Sequence, residues 1–371
     1  MLVIALLLAG ALFVAYANGA NDNFKGVATL YGSGTVGYRG ALAWATLTTL
    51  AGSLCSVLLA GDLVEAFSAK GLVPDAVAQN PEFVAAVALG AATTVFLATM
   101  TGFPISTTHA LTGALMGAGL VSVGFALNLS LLGKTFFLPL IASPLLAIAL
   151  GSMSYPLFRR PSIDSEEPEE ACVCLVLAKP AVASGALLSA SAAPALAVAL
   201  DTETNCARRF PGRLLGARLP SFLDGAHFLS AGALSFARGL NDTPKIVGLL
   251  IVLQALQARV SLLLIALVMA IGGLLQARRV AWTMSRRITR MNDREALAAN
   301  LVTSILVLTA SHSGLPVSTT HVSCGSLFGM GLVTRQANLP AIRNIVASWV
   351  ITLPAATLFA GAFLLVLNLS G

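Results

Sequence analysis

FPISTTH at 103–109 stands where an apolar, membrane-length stretch ought to run on, and LPVSTTH at 315–321 repeats it. Proline removes a backbone donor and blocks the helical turn before it. The Ser-Thr-Thr that follows is suited to capping a helix start. Each phrase therefore reads as the end of one helix and the beginning of the next. Working outward, PISTTHALTGALMGAGLV (104–121) aligns without gaps on PVSTTHVSCGSLFGMGLV (316–333), with 11 of 18 positions identical. Upstream, GANDNFK (19–25) aligns on GLNDTPK (239–245), so G-x-N-D-x-x-K occurs in both halves. Two matched motifs in the same order, at offsets of 220 and 212 residues, mark a duplication in which one loop of the first half is eight residues longer.

Of the 371 residues, 57% are hydrophobic and 10% charged, against about 25% charged in soluble domains. That composition implies an all-α integral membrane protein, and its 33 glycines suit helices packed closely in a bilayer. The formal charge of +6 comes from arginines gathered in one loop and does not point to nucleic acid. The N-terminal MLVIALLLAGALFVAYA has no Lys or Arg before Lys25. It lacks the basic region of a signal peptide and reads as a retained first span. Cys55, Cys172, Cys174, Cys206 and Cys324 have the spacing of neither a metal site nor a disulfide framework, and no cofactor is expected.

Apolar windows fall near 2–31, 39–60, 83–101, 109–126 and 135–158, then near 222–251, 260–277, 296–312, 321–334 and 341–368. The expected organisation is a first repeat over 1–158, an insert or linker over 159–221 and a second repeat over 222–371. The Ala-rich stretch 171–200 suggests an eleventh span, but Lys179 and Pro180 interrupt it. Loop 61–82 carries Asp62, Glu65, Lys70, Asp75 and Glu82, whereas its counterpart 276–295 carries six arginines against Asp293 and Glu295. Lys/Arg excess marks the cytoplasmic side, so these equivalent loops face opposite sides and the repeats are inverted in the cell membrane. Both termini then lie outside and the insert in the cytoplasm, with Lys134 and Arg259 as minor exceptions.

Inverted repeats with interrupted helices place transporter sites near the midplane, at the repeat interface. NGAND splits the first apolar segment around Asn21 and Asp22, and the same break is expected around Asn241 and Asp242. A helix start offers unpaired N–H groups and the positive end of the dipole to an anion. Hydroxyls of Ser106, Thr107 and Thr108, and of Ser318, Thr319 and Thr320, add donors. Asp22 and Asp242 bring acceptors for a cation or a proton, and Lys25 and Lys245 follow one helical turn later. A charge at membrane depth costs at least about 2.5–3.5 kcal/mol, so four such residues at matched positions need a reason. Either they form two Asp–Lys pairs, or they divide the holding of cation and anion. Simpler readings exist for each group: the pairs as structural ion pairs, the hydroxyls as partners of kinked backbone, His109 and His321 as helix-start hydrogen-bonders. Arg238, aligned on Asn18, is placed to sense an anion. Asp224 and His227 read as caps at a span end, and His312 as structural.

GANDNFKGVATLYGSG and FARGLNDTPKIVGLL resemble the paired signatures of the inorganic phosphate transporter (PiT) family, typified by G-A-N-D-V-A-N-A, and PISTTH and PVSTTH resemble its two re-entrant hairpin motifs. The likeness covers 1–158 and 222–368 and leaves out the insert. It implies a phosphate:cation symporter with alternating access, usually a homodimer, and hairpins over 83–126 and 296–334. Phosphate would lie at the two S-T-T segments with Lys25 and Lys245, and cations at Asn21, Asp22, Asn241 and Asp242. One departure matters. The Asn three residues after each signature Asp is Lys here, in both halves. An amide oxygen ligates sodium; an ammonium has only donors and repels it. Proton coupling is thus favoured over sodium, with phosphate moving free or as a neutral metal complex.

Three rivals remain. Sulfate or another tetrahedral oxyanion fits the same fold, although only phosphate has a proton to offer the carboxylates. A passive channel would ignore the cation gradient. An intramembrane hydrolase would use Ser106 or Ser318 as nucleophile and His109 or His321 as base, but a duplicated pair without an orienting third residue is odd for catalysis.

Overall fold

The computed structural model describes residues 1–158, 171–178, 195–202, 216–218, 222–252, 257–289 and 291–370. It forms two units, Met1–Arg159 with Ala226–Gly371, and Arg160–Gly225. The described part of the second unit is a three-stranded antiparallel sheet in the order β2-β1-β3, from β1 (Ala171–Ala178), β2 (Ala195–Thr202) and β3 (Gly216–Arg218). Ala171 pairs with Thr202 and Cys172 with Arg218. The all-α expectation therefore applies to the first unit alone, and the stretch that suggested an eleventh span holds two strands. Val173 and Val176 favour extended backbone.

The first unit is helical. Its long elements are α1 (Leu2–Asp22), α2 (Ala28–Ser33), α3 (Tyr38–Leu59), α4 (Pro81–Thr101), α5 (Thr107–Val123) and α6 (Leu138–Phe158). After the insert come α7 (Phe222–Leu250), α8 (Ala258–Gln276), α9 (Arg278–Trp282), α10 (Asp293–His312), α11 (Thr319–Thr334) and α12 (Leu339–Ser370). Every apolar window of the sequence falls on a helix. Seven helical segments among the described residues are long and apolar enough to cross a bilayer. Tyr38–Leu59, Phe222–Leu250 and Thr319–Thr334 fall outside that set, the first two carrying many hydroxyl or charged residues and the third only 16 residues long.

Small residues bring the helices together. In α4, Ala85, Ala86, Ala88, Ala91 and Ala92 are all fully buried, and α1 and α12 pack along it. A Cβ built on Gly19 would sit 1.9 Å from the Met269 carbonyl oxygen of α8, and one on Gly239 would sit 2.1 Å from that of Thr49 in α3. The first glycine of each G-x-N-D motif is thus a point where two backbones touch, as in tightly packed membrane helices.

The two motifs break their helices differently. α1 stops at Asp22, and a 3-10 turn at Lys25–Val27 leads into α2. α7 runs unbroken through Asn241 and Asp242 with Pro244 inside it, so the second expected break is absent. Gly26, just after the first motif, aligns on Ile246, just after the second. Glycine weakens a helix interior by about 1 kcal/mol relative to alanine, and a side chain at Gly26 would collide with Ser235. Ile246 carries no such cost, and a lone proline is tolerated inside membrane helices.

FPISTTH and LPVSTTH do separate helices. α4 ends with Gly102 in the left-handed region at φ 78°, and α10 is followed by Gly314 at φ 66°. The amide of Phe103 returns to the Ala98 carbonyl at 3.0 Å, and that of Leu315 to Ala310 at 2.9 Å. Four extended residues later, Ser106 and Ser318 cap α5 and α11, their hydroxyls accepting from the amides of His109 (3.0 Å) and His321 (3.1 Å).

Candidate anion and cation site

The end of α1, the middle of α7 and the two S-T-T helix starts meet in one buried polar cluster. Asn21, Asp22, Lys25, Asn241, Asp242 and Lys245 are buried, as are Ser106, Thr107, Thr108, Ser318, Thr319 and Thr320. Asn18 joins the two halves: its Nδ2 lies 3.1 Å from Asp22 Oδ2, 3.3 Å from Asp242 Oδ2 and 2.9 Å from Thr107 Oγ1.

Each lysine sits in a cage of oxygens. Lys25 Nζ donates to Asn21 Oδ1 (2.8 Å), the Ile105 carbonyl (2.8 Å), Thr320 Oγ1 (2.6 Å) and Asp22 Oδ1. Lys245 Nζ donates to the Val317 carbonyl (2.7 Å), Thr108 Oγ1 (2.7 Å) and Asp242 Oδ1 (3.4 Å). Carbonyl, threonine and aspartate correspond between the two sets and cross over, whereas among the described hydrogen bonds Asn21 has no counterpart at Lys245, Asn241 Oδ1 accepting from Ser311 instead. Each ammonium takes the carbonyl just before its own half's capping serine and a threonine hydroxyl from the other half. Those threonines complete the exchange: Thr108 donates to the Val317 carbonyl (3.2 Å) and Thr320 to that of Ile105 (2.8 Å). Thr107 and Thr319 each lie 3.4 Å from the aspartate of their own half.

Three cations face two carboxylates. Arg238 is buried, with Nε 3.7 Å from Asp242 Oδ2, Nη2 donating to Asn18 Oδ1 (2.9 Å) and Nη1 to Asn23 and Thr49. Among the described residues its Nε has no hydrogen-bond partner. With Lys25 and Lys245 against Asp22 and Asp242, the cluster carries one formal positive charge in excess when all five groups are ionised. Burying charge without full compensation is costly, and an anion would remove that cost.

The hydroxyls are not lined up as an open cradle. Ser106 and Ser318 are committed to their caps, and the threonines to lysine, aspartate and carbonyl partners. Receiving an anion therefore requires the two helix starts to separate. The histidines lie beside this seam: His109 Nδ1 and His321 Nε2 are 3.1 Å apart, and His321 stacks on Trp349 with ring centroids 4.0 Å apart. Trp349 Nε1 donates to the Pro104 carbonyl at 3.0 Å, tying α12 to the first break. Both imidazoles pair with each other and neither with a serine hydroxyl among the described hydrogen bonds, so the Ser–His arrangement a hydrolase would need is not formed.

Some partners escape a reading of motifs alone. Asn21 Nδ2 donates to Thr99 Oγ1 (2.9 Å), and Ser311 donates to Asn241 Oδ1 (3.0 Å). Thr99 and Ser311 are related by the same offset of 212 that relates the S-T-T segments, and extending that alignment upstream would have found them. Asn18 would have emerged likewise as the mate of Arg238. His227 is no interfacial cap: it is fully buried, with ring nitrogens 3.1 Å from Asp293 Oδ1 and 3.0 Å from Thr29 Oγ1. His312 is exposed at the end of α10.

A multi-pass helical membrane protein with a buried, doubled, charge-bearing polar cluster at its broken segments is built as a transporter. The sequence model of the Phosphate transporter family matches residues 18–360, and the chain belongs to that family. It is 27% identical to a putative phosphate permease of Haemophilus influenzae, over 94% of this chain and 92% of that one. It is 26% identical to a probable low-affinity inorganic phosphate transporter of Rhizobium meliloti, over 95% of this chain and 93% of that one. The fold is similar to that of a solved structure titled as the sodium-dependent phosphate transporter, with a TM-score of 0.75, 20% identity and complete coverage of both chains. The family comprises transporters, not enzymes, which removes the hydrolase reading.

Proposed function

We propose that this chain is a proton-coupled symporter of inorganic phosphate working by alternating access. The observation that carries the coupling is the pair of lysine cages. Carboxylate, carbonyl and hydroxyl oxygens surround each ammonium, with an amide oxygen added at Lys25, as they would a small alkali cation. Resident ammonium groups take the place of sodium, and the transported charge is left to a proton on Asp22 or Asp242, with Asn21 and Asn241 shaping the cages.

The single excess positive charge favours an anion. Hydrogen phosphate arriving with one proton brings the buried set to zero net charge, and sulfate with one proton would do the same, so charge alone does not separate them. Phosphate can donate its own O–H to a carboxylate, and sulfate only accepts. A neutral metal–phosphate complex would leave the excess uncompensated, so the free anion is the proposed substrate. It would bind between the S-T-T helix starts, in contact with Lys25, Lys245, Thr107, Thr108, Thr319 and Thr320, once the crossed threonine bonds open.

The reciprocal contacts of the two lysines support a pseudo-two-fold between the halves, and the opposite charge of loops 61–82 and 276–295 supports their inversion. Helices α4–α5 and α10–α11 would be re-entrant hairpins, the insert cytoplasmic, both termini outside, and the assembled form a homodimer. Uptake of labelled phosphate into proteoliposomes with independently imposed gradients tests the coupling. Accumulation should follow an inward proton gradient, ignore a sodium gradient and survive excess sulfate. Uptake driven by sodium alone would overturn the proposal.

A further inference from the structure

The arginine-rich segment builds a second feature that the transport reading does not use. A cavity of about 940 Å3 lies between the start of α3, the end of α4 and α9, and Arg39, Arg278, Arg279 and Arg287 all line it. No carboxylate lines it, and among the described residues none of the four arginines forms an ion pair with one. Cytoplasmic topology accounts for the number of arginines here. It does not account for their convergence on one concavity, because like charges held close together repel. Tyr31, Tyr38 and Trp282 also line it, side chains that pair an apolar face with a polar tip. Arg286 already lies over the Tyr31 ring, 5.3 Å from its centroid.

From this juxtaposition we propose that the cavity binds a multiply charged phosphate ligand larger than orthophosphate, either the phosphomonoester headgroup of an anionic lipid or a soluble polyphosphate. Its volume falls in the range of about 300–1,000 Å3 typical of pockets for drug-sized ligands, more room than one orthophosphate fills. Guanidinium groups grip phosphate through two parallel hydrogen bonds, and several on one wall reward several phosphate oxygens. The cavity is tied to the first break. Thr283 Oγ1 donates to the Gly102 carbonyl at 2.9 Å, and Arg279 donates to the Met100 carbonyl. A bound polyanion would neutralise the arginines and hold α9 against the turn that begins FPISTTH.

Binding here is measured without reference to transport. The full-length protein in phosphatidylcholine nanodiscs is titrated with inorganic tripolyphosphate and, separately, with orthophosphate, and retention of phosphatidic acid from mixed nanodiscs is read by native mass spectrometry. Tripolyphosphate binding identifies a soluble source and phosphatidic acid retention a lipid source. Either is expected to weaken at least tenfold in Arg278→Gln/Arg287→Gln. Should that variant fail to fold, Arg39→Gln should weaken the same probe measurably, and Trp282→Phe should remove the fluorescence change that accompanies it. The proposal is overturned if the wild-type chain binds neither probe, if the folded glutamine variants bind as tightly as wild type, or if the orthophosphate binding that the arginine substitutions weaken is as tight as that of tripolyphosphate.

Discussion

Arg238 donates through Nη2 to Asn18 Oδ1 at 2.9 Å. These two residues occupy the same place in the two repeats, since they align at an offset of 220, and they are bonded to each other across the junction. Asn18 in turn reaches both aspartates. The pair is an amide in one half and a cation in the other, so it places an unmatched charge of the cluster at this contact.

Arg238→Asn restores the likeness and removes that charge. The KM for phosphate is expected to rise at least tenfold, while kcat falls less. Stripping one partner from a buried charged network costs roughly 3–5 kcal/mol, so folding must be checked by monodispersity and thermal unfolding. Arg238→Lys keeps the charge and should hold KM within a few-fold. An Asn variant that folds and shows unaltered KM would mean the arginine only braces the helices.

Lys25→Asn and Lys245→Asn test the cages. With the ammonium gone, its oxygen partners and the new amide oxygen form a plausible sodium ligand set, because carboxylate, carbonyl and amide oxygens are hard ligands. Phosphate uptake by the double variant should acquire a dependence on external sodium that wild type lacks, read as at least a fivefold difference between sodium and choline media. Uptake equally indifferent to sodium in both proteins would remove the lysines from the cation's place.

Asp22→Asn and Asp242→Asn keep the size but lose the titratable group, and each exchanges one accepting oxygen for an amide donor. Each variant is expected to lose accumulation against a gradient, by tenfold or more, with expression intact. Near-normal accumulation in both would take the carboxylates out of the mechanism and move the proton elsewhere.

The breaks and the cluster were readable because they are written twice. Pro104 and Pro316 followed by Ser-Thr-Thr specify helix ends by local chemistry, and repetition singled them out among many prolines and serines. The unbroken α7 was not readable from the motif, since G-x-N-D is common to both halves; the difference lies at Gly26 against Ile246, outside the matched letters. The crossing of each lysine to the other half's threonine was equally hidden, because it depends on how two separate hairpins dock. The strands of the insert were hidden for a plainer reason: an Ala-rich run without period gives no signal that separates strand from helix.

Gly19 and Gly239 lead the two motifs, and their packing makes the last prediction. Added methyl groups would meet the Met269 and Thr49 carbonyl oxygens at 1.9 and 2.1 Å, contacts with backbone that no rotamer change can relieve. The neighbouring helix must move, and overpacking of this kind costs roughly 1–3 kcal/mol or more. Because each glycine lies within three residues of an aspartate of the cluster, the shift should also separate the lysine cages. Gly19→Ala and Gly239→Ala are thus expected to lower the unfolding temperature and to cut phosphate uptake severalfold. Gly61→Ala, where nothing lies within 4 Å of the new carbon, serves as the neutral control. If Gly19→Ala and Gly239→Ala melt with the control and transport normally, the close approach of α1 to α8 and of α7 to α3 does not hold the site together.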